Sequence, residues 1–231
     1  MFSFTLLTNY YKIFFLLTFL TLQLSCNNVS QIDITSRIKR FARLPPRYHH
    51  IYPSIPINTL PKTKFPDADK GKFNEDALRR YIVDIHNQLR AKHHAPPLRY
   101  SQNLEISAKK YANILAEWND GLIHDEYNYY QGENLFSIHQ KWVPDEWALA
   151  KMMMDTFYDE LKYYNYNYYN PKDLIKYGHL SQLLWYDSKY IGIGFGVVKI
   201  GKSFKIYICI RYDPPGNVMS SWQFKRNVFQ P

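Results

Sequence analysis

Cysteine is scarce in this chain of 231 residues, which contains only Cys26 and Cys209. Cys26 follows an apolar amino-terminal run, whereas Cys209 lies in an apolar segment with the composition of a buried strand. We therefore expect the folded domain to contain no internal disulfide and to be stabilised by packing. Cys209 is expected to be a small buried hydrophobe rather than a reactive thiol.

Several enzyme signatures are also absent. The sequence contains neither a His-Glu-x-x-His zinc helix nor a Gly-x-Ser-x-Gly nucleophile turn. Gly192, Gly194 and Gly196 alternate with apolar residues, but no helix follows them, which argues against a phosphate-binding loop. Instead, a strand face without side chains would let a helix approach closely.

The net charge of +9 is unevenly distributed along the chain. Residues 27–70 contain eight Lys or Arg against three Asp, whereas residues 71–231 contain 20 basic against 17 acidic residues. The folded part has no dense basic stripe and no nucleic-acid motif. We therefore expect no nucleic-acid partner.

The amino-terminal third predicts targeting and linker segments. Residues 14–24 form an apolar run with the length of a signal-peptide core, too short for a comfortable membrane span. We predict a signal peptide over residues 1–25 and a secreted, extracellular protein without a stable transmembrane span; an uncleaved amino-terminal anchor is the alternative. Residues 26–70 are Pro-rich and basic and predict a linker or pro-segment. The basic residues that end at Arg40 are either a processing site or a solvated basic stretch. One folded domain is predicted over residues 71–231.

Apolar residues at helical spacing predict four helices in this domain. Asn74 and Ser101 are suited to cap the first two helices, and the third is expected to run through Trp147, Met154, Phe157 and Leu161. The predicted helices run from 74 to before Pro96, from 101 to 121, from 144 to 161, and from 178 to 186. A long polar and Tyr-rich loop is expected between the second and the third.

Two β-rich runs, 191–199 and 203–212, flank Ile200-Gly201-Lys202 and predict a hairpin with a short glycine turn. Helices and an antiparallel sheet in one chain predict a helix–sheet–helix sandwich. The expected fold class is therefore α/β (α+β), with a three-layer α-β-α architecture and a central antiparallel sheet.

Four short motifs occur in order over about 130 residues: His86–Arg90, Gly132–Leu135, Gly178–Ser188 and Arg211–Asn217. Together they resemble the signature of the CAP superfamily, which comprises cysteine-rich secretory, antigen 5 and pathogenesis-related proteins. The resemblance covers nearly all of the chain from Phe73 onward and implies the same sandwich fold.

The resemblance also implies a cleft that contains two histidines and two glutamates, at His124, Glu133, Glu160 and His179. Neutral imidazoles are good Zn²⁺ ligands, so His124 and His179 are the candidate ligands for Zn²⁺ or another divalent cation. Glu133 and Glu160 could complete the metal shell, orient the imidazoles, or serve as general base in a hydrolase. A glutamate could instead raise the pKa of a histidine and make the site sensitive to acid without catalysis.

Two positions depart from the family pattern. Leu180 stands where an aromatic residue is usual, which should trim the packing of the cleft. Ile210 stands at the usual cysteine position, so the family's disulfide cannot form there. The pattern is closest to the disulfide-poor, Golgi-associated plant-pathogenesis-related branch. The chain also lacks a cysteine-rich carboxy-terminal module, which disfavours ion-channel blocking.

By resemblance, the chain is expected to act by binding, with lipids or sterols, a divalent metal, or extracellular proteins as partners and immune modulation as a venom allergen-like role. A metal-dependent hydrolase and a structural extracellular protein are the alternatives. Tyrosines flank the expected cleft loops and suit a binding surface, although a compositional excess of tyrosine explains them equally well. They are Tyr127, Tyr129, Tyr130, Tyr163, Tyr164, Tyr166, Tyr168 and Tyr169.

Overall fold

The computed structural model describes residues 72–143 and 145–231. The predicted signal peptide, the Pro-rich segment and the processing site after Arg40 lie outside these residues and stay predictions. Within the described ranges, no helix is long and apolar enough to cross a bilayer.

The first two helices begin where their capping residues predict. Helix α1 spans Glu75–Lys92, and the side chain of Asn74 accepts a hydrogen bond from the amide of Ala77. Strand β1 spans Arg99–Tyr100. Helix α2 follows over Gln102–Trp118, with Ser101 as its cap, and ends at Asn119 in the left-handed conformation.

Three further strands complete the sheet: β2 spans Gly132–Gln140, β3 spans Tyr190–Ile200 and β4 spans Ser203–Asp213. The strand order is β1-β3-β4-β2, with β2 and β3 antiparallel to β4 and the short β1 parallel to β3. The predicted hairpin is confirmed, and Gly201 makes its turn at φ +60°. Strand β2 was not predicted, because it lies in the stretch that was expected to be a long loop.

The remaining helices differ from prediction mainly at their ends. Helix α3 spans Glu146–Tyr158 and gives way to a 3-10 helix over Asp159–Tyr163. The α-helix is therefore shorter at both ends than predicted. Met154 and Phe157 of this helix are fully buried, whereas Trp147 is 50% exposed. A 3-10 turn, Pro171–Asp173, then leads into α4.

Helix α4 spans Leu174–Leu184 with a break at Tyr177, after which regular helix runs on from Gly178 as predicted. A short helix that the sequence pattern did not indicate, α5, spans Ser221–Asn227.

The sheet is covered on both faces. Helix α2 lies directly on the glycine face of β3, where a Cβ atom added at Gly194 would lie 2.0 Å from the backbone nitrogen of Lys109. Buried residues of α1, α3 and α4 pack on the opposite face, where Ile82, Met153 and Leu180 belong to the same core cluster as Ile208. The predicted three-layer α-β-α sandwich is therefore confirmed, with a mainly antiparallel sheet at its centre.

Candidate functional site

Glu133 is held at the edge of the sheet by a buried arginine. Glu133 lies on the edge strand β2, directly opposite Arg211 of β4. One guanidinium nitrogen of Arg211, Nη1, lies 3.1 Å from Glu133 Oε2, and the other, Nη2, donates to Asp125 Oδ2 at 2.7 Å. The Arg211 side chain is 2% exposed and that of Glu133 is 6% exposed. Because a buried charge requires partners, these three residues form one electrostatic unit.

His124 completes this unit from the loop before β2. Its Nδ1 lies 2.5 Å from Glu133 Oε1, and the same oxygen accepts a hydrogen bond from the amide of Asp125 at 3.1 Å. Asp125, Glu133 and Arg211 together carry a formal charge of −1. A protonated His124 or a bound cation would neutralise that charge. The His124 side chain is 47% exposed, so this side of the unit faces solvent.

Two buried groups support the arginine unit. The ring of Tyr111 lies 5.2 Å from the Arg211 guanidinium carbon, and its hydroxyl donates to the carbonyl of Ile123, which anchors the loop that carries His124. The thiol of Cys209 lies 3.8 Å from Glu133 Oε2. Burial and the charge of Glu133 raise the pKa of Cys209, so the thiol stays protonated. The expectation of a free, buried and unreactive Cys209 agrees with this environment.

The second pair joins Glu160 of the 3-10 helix to His179 of α4. His179 Nδ1 lies 2.6 Å from Glu160 Oε1, and Glu160 Oε2 accepts from the amide of Leu180 at 3.0 Å. The His179 ring also stacks on Phe157, with ring centroids 4.6 Å apart and planes 3° from parallel. Only 5% of the His179 side chain is exposed. Packing and hydrogen bonds thus fix both the position and the orientation of this imidazole.

A buried polar relay connects the second pair to the sheet. Asn134 Nδ2 donates to the carbonyl of His179 at 3.0 Å and to the hydroxyl of Tyr212 at 3.2 Å. The carbonyl of Ile82 can only accept, so His86 donates from Nδ1 and accepts the Tyr212 hydroxyl proton at Nε2. Burial lowers the pKa of His86 to about 3, which keeps the ring neutral.

The four predicted residues are therefore organised as two histidine–glutamate pairs at the edge strand. Glu133 belongs to the first pair, and its neighbour Asn134 holds the backbone of His179 in the second. No group of three or more His, Cys, Asp or Glu side chains within residues 72–143 and 145–231 is arranged to hold a metal ion.

A metal ion at these pairs would have to be bound by the imidazoles. Oxygens of Glu133 and Glu160 already contact Arg211, backbone amides and the histidine Nδ1 atoms. Carboxylates placed in this way orient metal-binding histidines from outside the ligand shell. His124 and His179 would be the ligands of a zinc ion held here, and the two glutamates would position them.

The sequence patterns did not indicate several residues in and around this site. Asp125 and Phe157 were not singled out as site residues, and Arg211 was noted only as the start of the fourth family motif. Arg90 is fully buried and donates to the carbonyls of Leu183, Trp185 and Ser188, which fixes the end of α4. A charged residue in an apolar strand or on the buried face of a helix is the available signal, because it must find a partner inside the fold.

The chain is similar to known proteins along most of its folded part. The sequence profile of CAP, the cysteine-rich secretory protein family, matches residues 83–211. Golgi-associated plant pathogenesis-related protein 1 of Homo sapiens is 32% identical over 162 residues, which cover 70% of this chain and 98% of that protein. Cysteine-rich secretory protein 2 of Homo sapiens is 28% identical over 149 residues, covering 62% of this chain and 58% of that protein.

Solved structures also resemble the fold. The crystal structure of NaASP2 with Zn²⁺ superimposes with a TM-score of 0.53 at 18% identity, covering 67% of this chain and 86% of that one. At this level of identity the likeness concerns the fold alone.

Proposed function

Because the chain belongs to the CAP family of cysteine-rich secretory proteins, we propose that it is a secreted protein that acts by binding rather than by turnover. Its ligands would be a divalent cation at the histidine–glutamate pairs, partner proteins at the neighbouring loops, and lipids or sterols. Venom allergen-like proteins of the same family share this fold, which makes an immune-modulating role part of the proposal.

The observation that carries this proposal is the engagement of both site carboxylates inside the protein. Glu133 contacts Arg211, His124 and the amide of Asp125, while Glu160 contacts His179 and an amide of α4. A carboxylate or imidazole that acts as general base must lie within reach of the proton that it removes. Carboxylates fixed by internal donors are better suited to hold imidazoles in place than to exchange protons with a substrate.

The charge of the first pair supports a cation as one ligand. Asp125 and Glu133 share the single positive charge of Arg211, so His124 lies beside an uncompensated negative charge. Zn²⁺ bound by the imidazoles of His124 and His179 would neutralise it, with the glutamates as orienting groups. When bound, such an ion would lower the pKa of a coordinated water, which is the basis of the alternative hydrolase function.

A protein partner is favoured by the loop that follows His124. Tyr127, Tyr129 and Tyr130 are 86%, 76% and 84% exposed and lie within six residues of this histidine. Tyrosine provides a large amphipathic contact area and loses little side-chain entropy when it is ordered. Three such side chains on one loop are suited to recognise a protein surface.

Zn²⁺ titration followed by calorimetry tests the metal-binding part. We expect the full chain to bind one equivalent, and the His124→Ala and His179→Ala variants each to lose at least tenfold in affinity, since each removes one of two ligands. His139→Ala is the matched control, because His139 is an exposed histidine on β2, the strand that also carries Glu133. Equal affinity in the wild type and in both site variants would remove the proposed metal site.

Hydrolysis assays test the choice between binding and turnover. The wild type is incubated with Zn²⁺ and a mixed peptide and ester library, beside the His124→Ala/His179→Ala double variant. We expect equal, background rates for both proteins. Zn²⁺-dependent turnover that disappears in the double variant would establish the hydrolase alternative instead.

A further inference from the structure

A second cleft is lined by residues other than the histidine–glutamate pairs. It is formed by the segment after the 3-10 helix, by α4 and by α5, and we name it the tyrosine cleft. Its lining includes Tyr164, Tyr166, Tyr169, Tyr177, Ser221 and Lys225. The free volume inside the cleft is about 10 Å³. One oxygen atom of a larger anion would fill its inner end.

Two hydroxyl groups of this cleft lack partners. The hydroxyl oxygens of Tyr166 and Tyr169 are buried and form no hydrogen bond with any residue in the described part of the chain. Burial raises the pKa of Tyr166 to about 12 and also raises that of Tyr169, so both remain protonated donors at neutral pH. Buried donors without acceptors are unfavourable. They therefore point to an acceptor that enters the cleft from outside.

The charge around the cleft selects an anionic acceptor. Lys225 is exposed, and no acidic group among residues 72–143 and 145–231 lies within ion-pair distance of it. Residues 214–231 contain two basic and no acidic residues. Asp173, the acidic residue next to Tyr177, is already paired with Lys176 at 2.8 Å. An ammonium group and several hydroxyl donors together match the oxygens of a phosphate group.

Helix α5 and the residues just before it expose an apolar surface. Trp222, Met219 and Val218 are 61%, 70% and 45% exposed. The guanidinium carbon of Arg226 lies 4.7 Å from the centre of the Trp222 ring and its Nη2 atom lies 3.5 Å from Asp187. Exposed tryptophan and aliphatic side chains next to basic residues are typical of surfaces that enter the interfacial region of a bilayer.

We propose that the tyrosine cleft binds the phosphate group of an anionic phospholipid while Trp222, Met219 and Val218 enter the membrane interface. Helix α5 then docks the domain on an anionic membrane surface. This site is separate from the histidine–glutamate pairs. It gives the lipid part of the proposed function a specific location and ligand chemistry, and it can fail without affecting the metal site.

Vesicle co-sedimentation of the full chain tests the proposal, with phosphatidylcholine vesicles and with vesicles that also contain phosphatidic acid. We expect binding to the acidic vesicles only, together with a blue shift of tryptophan fluorescence. Lys225→Glu should weaken binding at least fivefold, since each basic residue near an anionic surface contributes on the order of 1 kcal/mol, which is about fivefold in affinity. Lys202→Glu is the matched control, because Lys202 is exposed in the hairpin turn and the charge change is identical.

The basic segment before residue 71 also attracts anionic vesicles, so the tyrosine hydroxyls provide the decisive comparison. Tyr166→Phe/Tyr169→Phe keeps the charge and the aromatic packing but removes both donors. We expect this variant to lose at least fivefold in affinity for the acidic vesicles and the Trp222→Ser variant to lose the fluorescence shift. His124→Ala/His179→Ala should bind the vesicles like the wild type.

Equal weakening by Lys225→Glu and Lys202→Glu, or full affinity in the double phenylalanine variant, would overturn the proposal in favour of unspecific charge attraction. Titration with inorganic phosphate separates the two sources of a phosphate group. Binding of free phosphate that depends on Tyr166 and Tyr169, without retention on vesicles, would overturn membrane docking.

Discussion

Acid should weaken the fold through His86, at the centre of the buried relay. His86 is fully buried, donates from Nδ1 to Ile82 and accepts the hydroxyl proton of Tyr212 at Nε2. Protonation would place a proton on Nε2, where the Tyr212 hydroxyl now donates, and would add a buried charge next to Arg90. Desolvation and the coulombic effect of Arg90 both disfavour that charge, while the hydrogen bond to Ile82 partly offsets them.

The sign and size of the effect follow from the two pKa values. The pKa of His86 is lowered from 6.5 in the unfolded chain to about 3 in the folded protein. The unfolded state therefore takes up a proton below pH 6.5 while the folded state does not. Stability is fully present above pH 6.5 and falls as the pH drops from 6.5 towards 3. Between pH 7 and pH 4.5 this group alone should cost roughly 2–3 kcal/mol, at about 1.4 kcal/mol per pH unit.

Urea unfolding at pH 7 and pH 4.5 measures this loss, with His86→Phe as the test variant. The variant should be less stable at pH 7 by about 1–3 kcal/mol, because Tyr212 loses its acceptor. The loss of stability between pH 7 and pH 4.5 should nevertheless be smaller in the variant than in the wild type, by roughly 2–3 kcal/mol. His139→Gln, an exposed control on β2, should retain the wild-type pH dependence. Identical pH dependence in wild type and His86→Phe would refute the reasoning.

Two other substitutions test the sheet and the site by thermal and urea unfolding. Gly194→Ala should destabilise the fold by about 3 kcal/mol or more, since the added Cβ meets the α2 backbone at 2.0 Å. The control Gly178→Ala should be neutral or stabilising, because its added Cβ lies 3.7 Å from the nearest atom. Equal losses of stability in the two variants would contradict the close approach of α2. Arg211→Met should cost about 3–5 kcal/mol at pH 7, because Glu133 and Asp125 lose their buried partner. Glu133→Gln should restore part of that loss in the double variant, and strict additivity would show that the two residues are not coupled.

Local signals were sufficient to predict the elements whose ends and partners are close in sequence. Asn74 and Ser101 cap α1 and α2 as expected, because a capping side chain bonds an amide only three residues away. The β3–β4 hairpin follows from its glycine turn for the same reason. Within the first motif, Asn87 has a structural role, since its side chain bonds both the amide and the carbonyl of Leu98.

Strand β2 could not be predicted in this way, because its pairing partner lies about 75 residues later in β4. Its first residues, Gly132-Glu133-Asn134, are weak strand formers and suggest a turn. Tertiary context overrides that preference. Glu133 is paired across the strand with Arg211, and Asn134 bonds the hydroxyl of Tyr212. Helix α5 was missed for a similar reason, since its seven residues contain only two, Phe224 and Asn227, that are buried.

The pairing of each histidine with a particular glutamate also depends on long-range geometry, and it gives the two imidazoles different freedom. His179 is enclosed by Phe157, Glu160 and the hydrogen bond from Asn134 to its carbonyl, and 5% of its side chain is exposed. His124 lies on a loop and is 47% exposed. A half-exposed side chain meets less steric resistance to a change of rotamer than a stacked and buried ring. We therefore expect a ligand at this site to be admitted by movement of His124 while His179 remains in place.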